Sequence, residues 1–235
     1  MPKSKKVVLF IVEGVTEKIC LESVMLRLHS DGEIKFQVME GDLTAKWGGS
    51  PENILGEIVN RMKAKWKEYR KKDYLHVVHL LDMDGAFISD EKIINTEIER
   101  PIYLPHGIEA SEKSNLPERN RRKREIVRKL ASSKRIWVDI PYTAYFFSCN
   151  LDHVMHDEAN LADDLKVPMA EAFEMRYADD LYGFYQFIIA ASTPNEADYR
   201  QSWEFIEKGE NSLHRYTNFG LYLSELYGFD SEAHT

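Results

Sequence analysis

Two short acidic segments carry the side chains that could do chemistry. The first is Val12-Glu13-Gly14-Val15-Thr16-Glu17, where Glu13 follows the apolar run Val7–Val12. The second is Asp82-Met83-Asp84-Gly85, which follows the apolar run Leu75–Leu81. An acidic residue directly after a buried strand lies at the carboxyl edge of a sheet, where open α/β sheets bind ligands. If the third strand persists, alternation turns Asp82 and Asp84 the same way. Two carboxylates brought together repel, and one takes up a proton unless a cation lies between them. Hard oxygen donors of this kind suit Mg²⁺ or Mn²⁺. Glu17, on the first turn of the following helix, is favoured there by the helix dipole and could face the same edge. Read singly, each segment also has an ordinary explanation. One is a strand-end turn before a capped helix, the other an Asx turn with both aspartates in water.

A basic stretch lies between the third and fourth expected strands. It carries Arg119, Arg121, Arg122, Lys123, Arg124, Arg128 and Lys129. Charged helix faces are often merely solvated, but this one is placed to contact phosphates near the acidic edge. His153 and His156, with Asp152 and Asp157 beside them, have i,i+3 spacing and no clear third partner, which is a poor zinc signature.

The elements that must position these groups read as follows. Val7–Val12 is continuously apolar and β-branched, as in a strand buried on both faces. Thr16 is placed to cap a helix running to about His29, with Ile19, Cys20, Val24 and Leu28 on its buried side. Residues 34–39 form a second strand and 41–50 a polar loop. A helix opening on Pro51 is expected to reach about Lys72, and Leu75–Leu81 is the third strand. Strand, helix, strand, helix, strand is the pattern of a parallel α/β unit. A short helix near Glu91–Glu97 and irregular chain around Pro101, Pro105 and Pro117 precede the basic helix, 117–132. Residues 136–140 are read as a short strand and Tyr142–Ser148 as the fourth core strand, with mostly helical chain to about Tyr227. The simplest organisation is a catalytic α/β domain over 1–160 with a helical extension, 161–235, packed on it.

Composition sets the outer bounds. The 235 residues are 43% hydrophobic and 30% charged, which are globular proportions. No apolar run approaches the roughly 20 residues needed to span a bilayer. The apolar run after the basic start is too short for a signal peptide, so a cytoplasmic location is expected. Cys20 and Cys149 are far apart and outside any CxxC, which argues against a disulfide framework or a cysteine zinc site. Residues 1–135 hold 26 of the 31 Lys and Arg and 21 of the 39 Asp and Glu, a net of +5; residues 136–235 hold the remaining 5 and 18, a net of −13. Screening makes local charge the relevant quantity, so the first half can meet a polyanion despite an overall −8. The acidic half carries aromatics such as Tyr177, Tyr182, Tyr185, Trp203 and Tyr216, which would suit a protein interface where they are exposed.

Taken together and in this order, the motifs resemble the Toprim family of topoisomerases, DnaG-type primases and OLD-type nucleases. That family places a glutamate after its first strand and a DxD after its third, here Glu13, Asp82 and Asp84. Glu13-Gly14 followed by Thr16-Glu17 looks most like the nuclease branches, in which the second glutamate helps to hold metal. Phe146-Phe147-Ser148-Cys149-Asn150-Leu151-Asp152-His153 is similar to the strand-to-helix segment of RloB-like Toprim proteins. Asp152 takes the acidic position there, although the usual proline after the asparagine is missing and Asp replaces the commoner Glu. Ala86 stands where the topoisomerase version has a third aspartate. Haloacid-dehalogenase-type phosphatases carry their DxD on the first strand, where this chain has Glu13. The resemblance implies a Mg²⁺- or Mn²⁺-dependent nuclease acting on DNA or RNA in antiviral defence. Glu13, Asp82 and Asp84 would be catalytic, Glu17 and Asp152 further metal ligands, and an ATPase a possible partner. The alternative is a non-catalytic adaptor that uses the same fold to bind nucleic acid or an ATPase.

Overall fold

The computed structural model describes residues 6–29, 33–38, 51–194 and 198–227. Its elements are β1 (Val7–Val12), α1 (Val15–Leu28), β2 (Glu33–Val38), α2 (Ile54–Lys65), β3 (Tyr74–Asp82), β4 (Ile93–Thr96), β5 (Ile102–Leu104), β6 (Gly107–Ser111), α3 (Leu116–Ser132), β7 (Arg135–Ile136), β8 (Ile140–Ser148), α4 (Leu151–His156), α5 (Asp163–Tyr177), α6 (Leu181–Ala190), α7 (Tyr199–Ile206), β9 (Tyr216–Thr217) and α8 (Phe219–Tyr227). The main sheet runs β2-β1-β3-β8-β7, with β9 also paired to β8. The pairs β1–β2, β1–β3 and β3–β8 are parallel, whereas β7 and β9 run antiparallel to β8. This is the α/β class expected, with four parallel strands, β2, β1, β3 and β8, ending at one edge.

Every residue of β1 is buried, which is why its sequence is apolar without alternation. Its odd residues, Val7, Leu9 and Ile11, face α2, α3 and α7 through Ile58, Met62, Val127, Leu130, Trp203 and Ile206. Its even residues, Val8, Phe10 and Val12, face α1, α5, α6 and α8 through Leu21, Val24, Phe173, Phe184, Ile188 and Phe219. Helices from 161 onward therefore complete both faces of the sheet. Tyr177 and Trp203 belong to these cores, so they are not the exposed aromatics an interface would use; Tyr182 is exposed.

Several local expectations are corrected. Residues 93–96 form a strand, because Ile93, Ile94 and Thr96 are β-branched and pair in parallel with β6. β5 lies antiparallel on the other side of β6, so the region read as irregular holds a small three-stranded sheet. Helix α2 stops at Lys65, and Tyr69 turns inward to pack on Tyr74. The stretch 136–140 is not one strand: Trp137 and Val138 take positive φ, and the chain doubles back so that β7 pairs with the start of β8. Gly14, not Thr16, holds the N-cap position of α1, and the buried face is Glu17, Cys20, Leu21, Val24 and Met25. The polar loop read at 41–50, and residue 39, lie outside the described residues.

The shared core makes a definite expectation. Phe219 is fully buried against Tyr145, Phe147 and Tyr222. Phe219→Ala is expected to lower stability by about 3–5 kcal/mol, typical of a large-to-small change at a closed site. A chain ending at residue 160 uncovers Val8, Phe10 and Phe147, and should show no cooperative urea transition. Independent folding of that fragment would contradict this account of the core.

Candidate metal and phosphate site

The carboxyl ends of β1, β3 and β8 meet at one edge. Glu13 follows β1 and accepts a hydrogen bond at Oε1 from the Asp82 amide, 3.2 Å away. Asp82 ends β3 in register with Phe147 of β8, and its Oδ1 accepts from the Leu151 amide at 2.9 Å. That amide belongs to the first turn of α4, so one carboxylate ties two strand ends to a helix start.

Glu17 is buried on the first turn of α1, with Thr16 Oγ1 donating to its Oε2 at 3.2 Å. The carboxylate folds back over Gly14, where a Cβ would lie only 2.8 Å from Oε2. Glycine at 14 is thus a steric requirement of the Glu17 conformation. Asp152 is also buried; its Oδ2 meets Lys166 at 3.2 Å, while Oδ1 is enclosed without a hydrogen-bond partner.

Asp84 is placed differently from expectation. The strand ends at Asp82, and Asp84 and Gly85 adopt left-handed φ values of 48° and 62°. Alternation therefore does not orient Asp84. The Asp84 amide donates to the Cys149 carbonyl at 2.7 Å, which anchors the turn to the end of β8. Gly85 is required twice over, by its φ and because a Cβ would strike the side chains of Leu213 and Ile108 at 2.5 and 2.7 Å. The Asp84 carboxylate receives Lys123 Nζ on Oδ2 at 2.5 Å and Tyr103 Oη on Oδ1 at 3.3 Å. Arg119 donates to the Asp84 carbonyl at 2.7 Å and to Tyr103 Oη at 3.4 Å.

Like charge and desolvation dominate the electrostatics. Removal from water pushes the Asp82 carboxyl well above the ordinary aspartate range, and Glu13, Glu17 and Asp84 push it further. Burial likewise raises the Glu17 carboxyl, with a smaller contribution from the Asp152 charge. Glu13, Glu17, Asp82 and Asp84 thus share one field, and the charge of Asp152 acts on Glu17. Among the described residues no three His, Cys, Asp or Glu side chains already form a metal cage. The donors fit a hard cation in type: carboxylates held in unfavourable proximity, one with a buried oxygen lacking a partner.

The basic helix α3 is divided between inside and outside. Lys123 is 1% exposed and directed at Asp84. Arg124 is half-buried and donates to the carbonyls of Ala86 and Ile88 at 3.0 and 3.4 Å, bracing the turn after Asp84. Arg128 forks onto Glu207, and exposed Arg121 bonds Glu118. Arg122 is half-buried. The spacing held a signal that the reading of Lys123 as one of several surface cations passed over: Leu116, Asn120, Lys123, Val127 and Leu130 form a buried stripe, so the lysine occupies a core-facing position. Tyr103 had no comparable signal, because its strand was read as irregular chain. His153 Nδ1 accepts from the Cys149 amide at 3.1 Å, which ties the ring to the start of α4. Comparison with protein-family models, curated proteins and solved structures finds no match to this chain.

Two expectations follow. Lys123→Ala leaves Asp84 without its buried counter-charge and should destabilise the protein by about 3–5 kcal/mol. Asp82→Asn tests the repulsion. The folded chain holds the Asp82 proton to higher pH than the unfolded chain, where the ordinary value is 3.8. The parent, stripped of metal by chelator, therefore loses this contribution as pH rises from the unfolded value through the raised one. The stability of Asp82→Asn relative to the parent should grow as pH rises above the unfolded value of 3.8 and through the raised folded value. Denaturation midpoints in chelator measure it; a difference independent of pH would contradict the electrostatic account.

Proposed function

We propose that this chain is a Mg²⁺- or Mn²⁺-dependent nuclease of Toprim type. The observation that carries the reading is the delivery of Glu13 and Asp82 to one edge by adjacent parallel strands, joined by a hydrogen bond, with Glu17 beside them. Glu13 and Asp82 would hold the cation, with Glu17 and Asp152 as further carboxylates, while Asp84 is engaged by Lys123. A divalent ion there supplies positive charge to the phosphate and lowers the pKa of water. Glu13, bound to the strand end by one oxygen, would hold the cation or accept a proton from the attacking water. Arg121 and Arg122, on the same helix as the Asp84 braces, would contact phosphates flanking the cut without reading sequence. The resemblance to RloB-like proteins extends the proposal to antiviral defence, to a cytoplasmic setting and to an ATPase partner. Consistent with that setting, no described helix is long and apolar enough to cross a membrane.

The test is incubation with Mg²⁺ or Mn²⁺ and a panel of plasmid DNA, single-stranded DNA and tRNA. Cleavage of at least one substrate by the parent is expected, with loss of at least about 100-fold in Glu13→Gln and Asp82→Asn, the scale of removing a catalytic acid or base. Retained nucleic-acid binding without cleavage would move the assignment to the adaptor reading. Joint Arg121→Gln and Arg122→Gln substitution should reduce the salt dependence of binding by roughly one unit of slope per lost phosphate contact. An unchanged slope would mean that these side chains only solvate the helix.

A further inference from the structure

Lys123 is the buried charge that the proposed reaction leaves unused. Its side chain is 1% exposed, and it lies in the apolar stripe of α3 with Leu116, Val127 and Leu130. An ammonium is strongly hydrated and is seldom buried without a partner that repays its desolvation. Here the partner is Asp84 Oδ2 at 2.5 Å. Asp84 is further engaged by Tyr103 Oη and, through its carbonyl, by Arg119, one helical turn before Lys123. Both carboxylate oxygens and the carbonyl of this one residue thus face protein donors.

The surroundings of Asp82 differ. Its Oδ1 accepts from a neutral backbone amide, and its own amide donates to Glu13. Its carboxyl is removed from water, and the negative charges of Glu13, Glu17 and Asp84 act on it, with Lys123 opposing them. The edge therefore has two unlike halves. At Asp84 a carboxylate is already neutralised by a fixed ammonium. Around Asp82 the dominant charges are negative. Resting on the nuclease reading above, we propose that Lys123 is the resident cation of this edge. It occupies the place at Asp84 that a second metal ion would take, so the chain binds one divalent ion, through Glu13 and Asp82. Asp84 then serves as a positioning residue for Lys123 and is not a ligand of that ion. The ammonium's field also reaches Asp82, so it adds positive charge next to the single ion.

The test counts bound Mn²⁺ on the full chain by titration calorimetry, with thermal melting alongside. The parent is expected to bind one ion per chain. Lys123→Met keeps the length of the side chain and removes its charge; it should bind two ions, and its melting temperature should rise more with Mn²⁺ than the parent's. If Lys123→Met is unfolded without metal, Mn²⁺ should restore a cooperative melt. Asp84→Asn leaves Lys123 an acceptor and should still bind one ion. Two ions in the parent, loss of the ion in Asp84→Asn, or a Lys123→Met protein that binds only one ion or stays unfolded with Mn²⁺ overturns the proposal. A parent that binds no Mn²⁺ at all removes the nuclease reading and this inference with it, and that result is distinct from the others.

Discussion

Parallel strands end together, and here two neighbours, β1 and β3, end on acid. The β1–β3 and β3–β8 pairings bring residues 13, 82 and 84 to one edge, and the start of α1 adds Glu17. Like charges at this spacing oppose folding unless protons, cations or dipoles compensate them. Much of the surrounding structure does this. The α4 amide of Leu151 donates to Asp82, Thr16 donates to Glu17, Lys166 meets Asp152, and Lys123 meets Asp84. Those contacts come from four different helices, so the edge is a constraint on the whole fold.

The remaining compensation shows what the edge is suited to. A protein selected only for stability would dilute these carboxylates, as functional sites commonly cost stability. The backbone amides that bond Glu13 and Asp82 are neutral, so they orient a carboxylate without cancelling its charge. The turn after Asp82 is held by Arg119, Arg124 and a buried lysine, so Asp84 is fixed by packing as well as by charge. On the proposed function, preorganised charge of this kind would need no rearrangement to receive a cation and a phosphate.

Much of this was legible in the sequence, for identifiable reasons. The continuous apolar run of β1 and the helix spacing after Pro51 announced a parallel α/β unit, and the acidic residues stood directly after strands. What was not legible depended on contacts distant in sequence. Residues 93–96 read as helix until β6 supplies them a partner. Asp84 read as a continuation of β3, but the Cys149 carbonyl captures its amide and Arg119 its carbonyl, which turns the chain into a left-handed conformation. Lys123 read as one of several surface cations because the count of basic residues in α3 outweighed its place in the buried stripe. Tyr177 and Trp203 read as residues that would suit an interface if exposed, because the core they complete is built from strands of the first 150 residues, distant from them in sequence.

The central claim is that Glu13 and Asp82 together form the ion-binding half of the acidic edge. An anomalous difference map from crystals of the full chain grown with Mn²⁺ tests it most directly. The account requires a single strong peak within coordination distance of carboxylate oxygens of both residues, about 2.0–2.6 Å for hard cations on oxygen, with Lys123 still on Asp84. A peak held by Asp84 in place of Lys123, or no peak at Glu13 and Asp82 at saturating Mn²⁺, would contradict it.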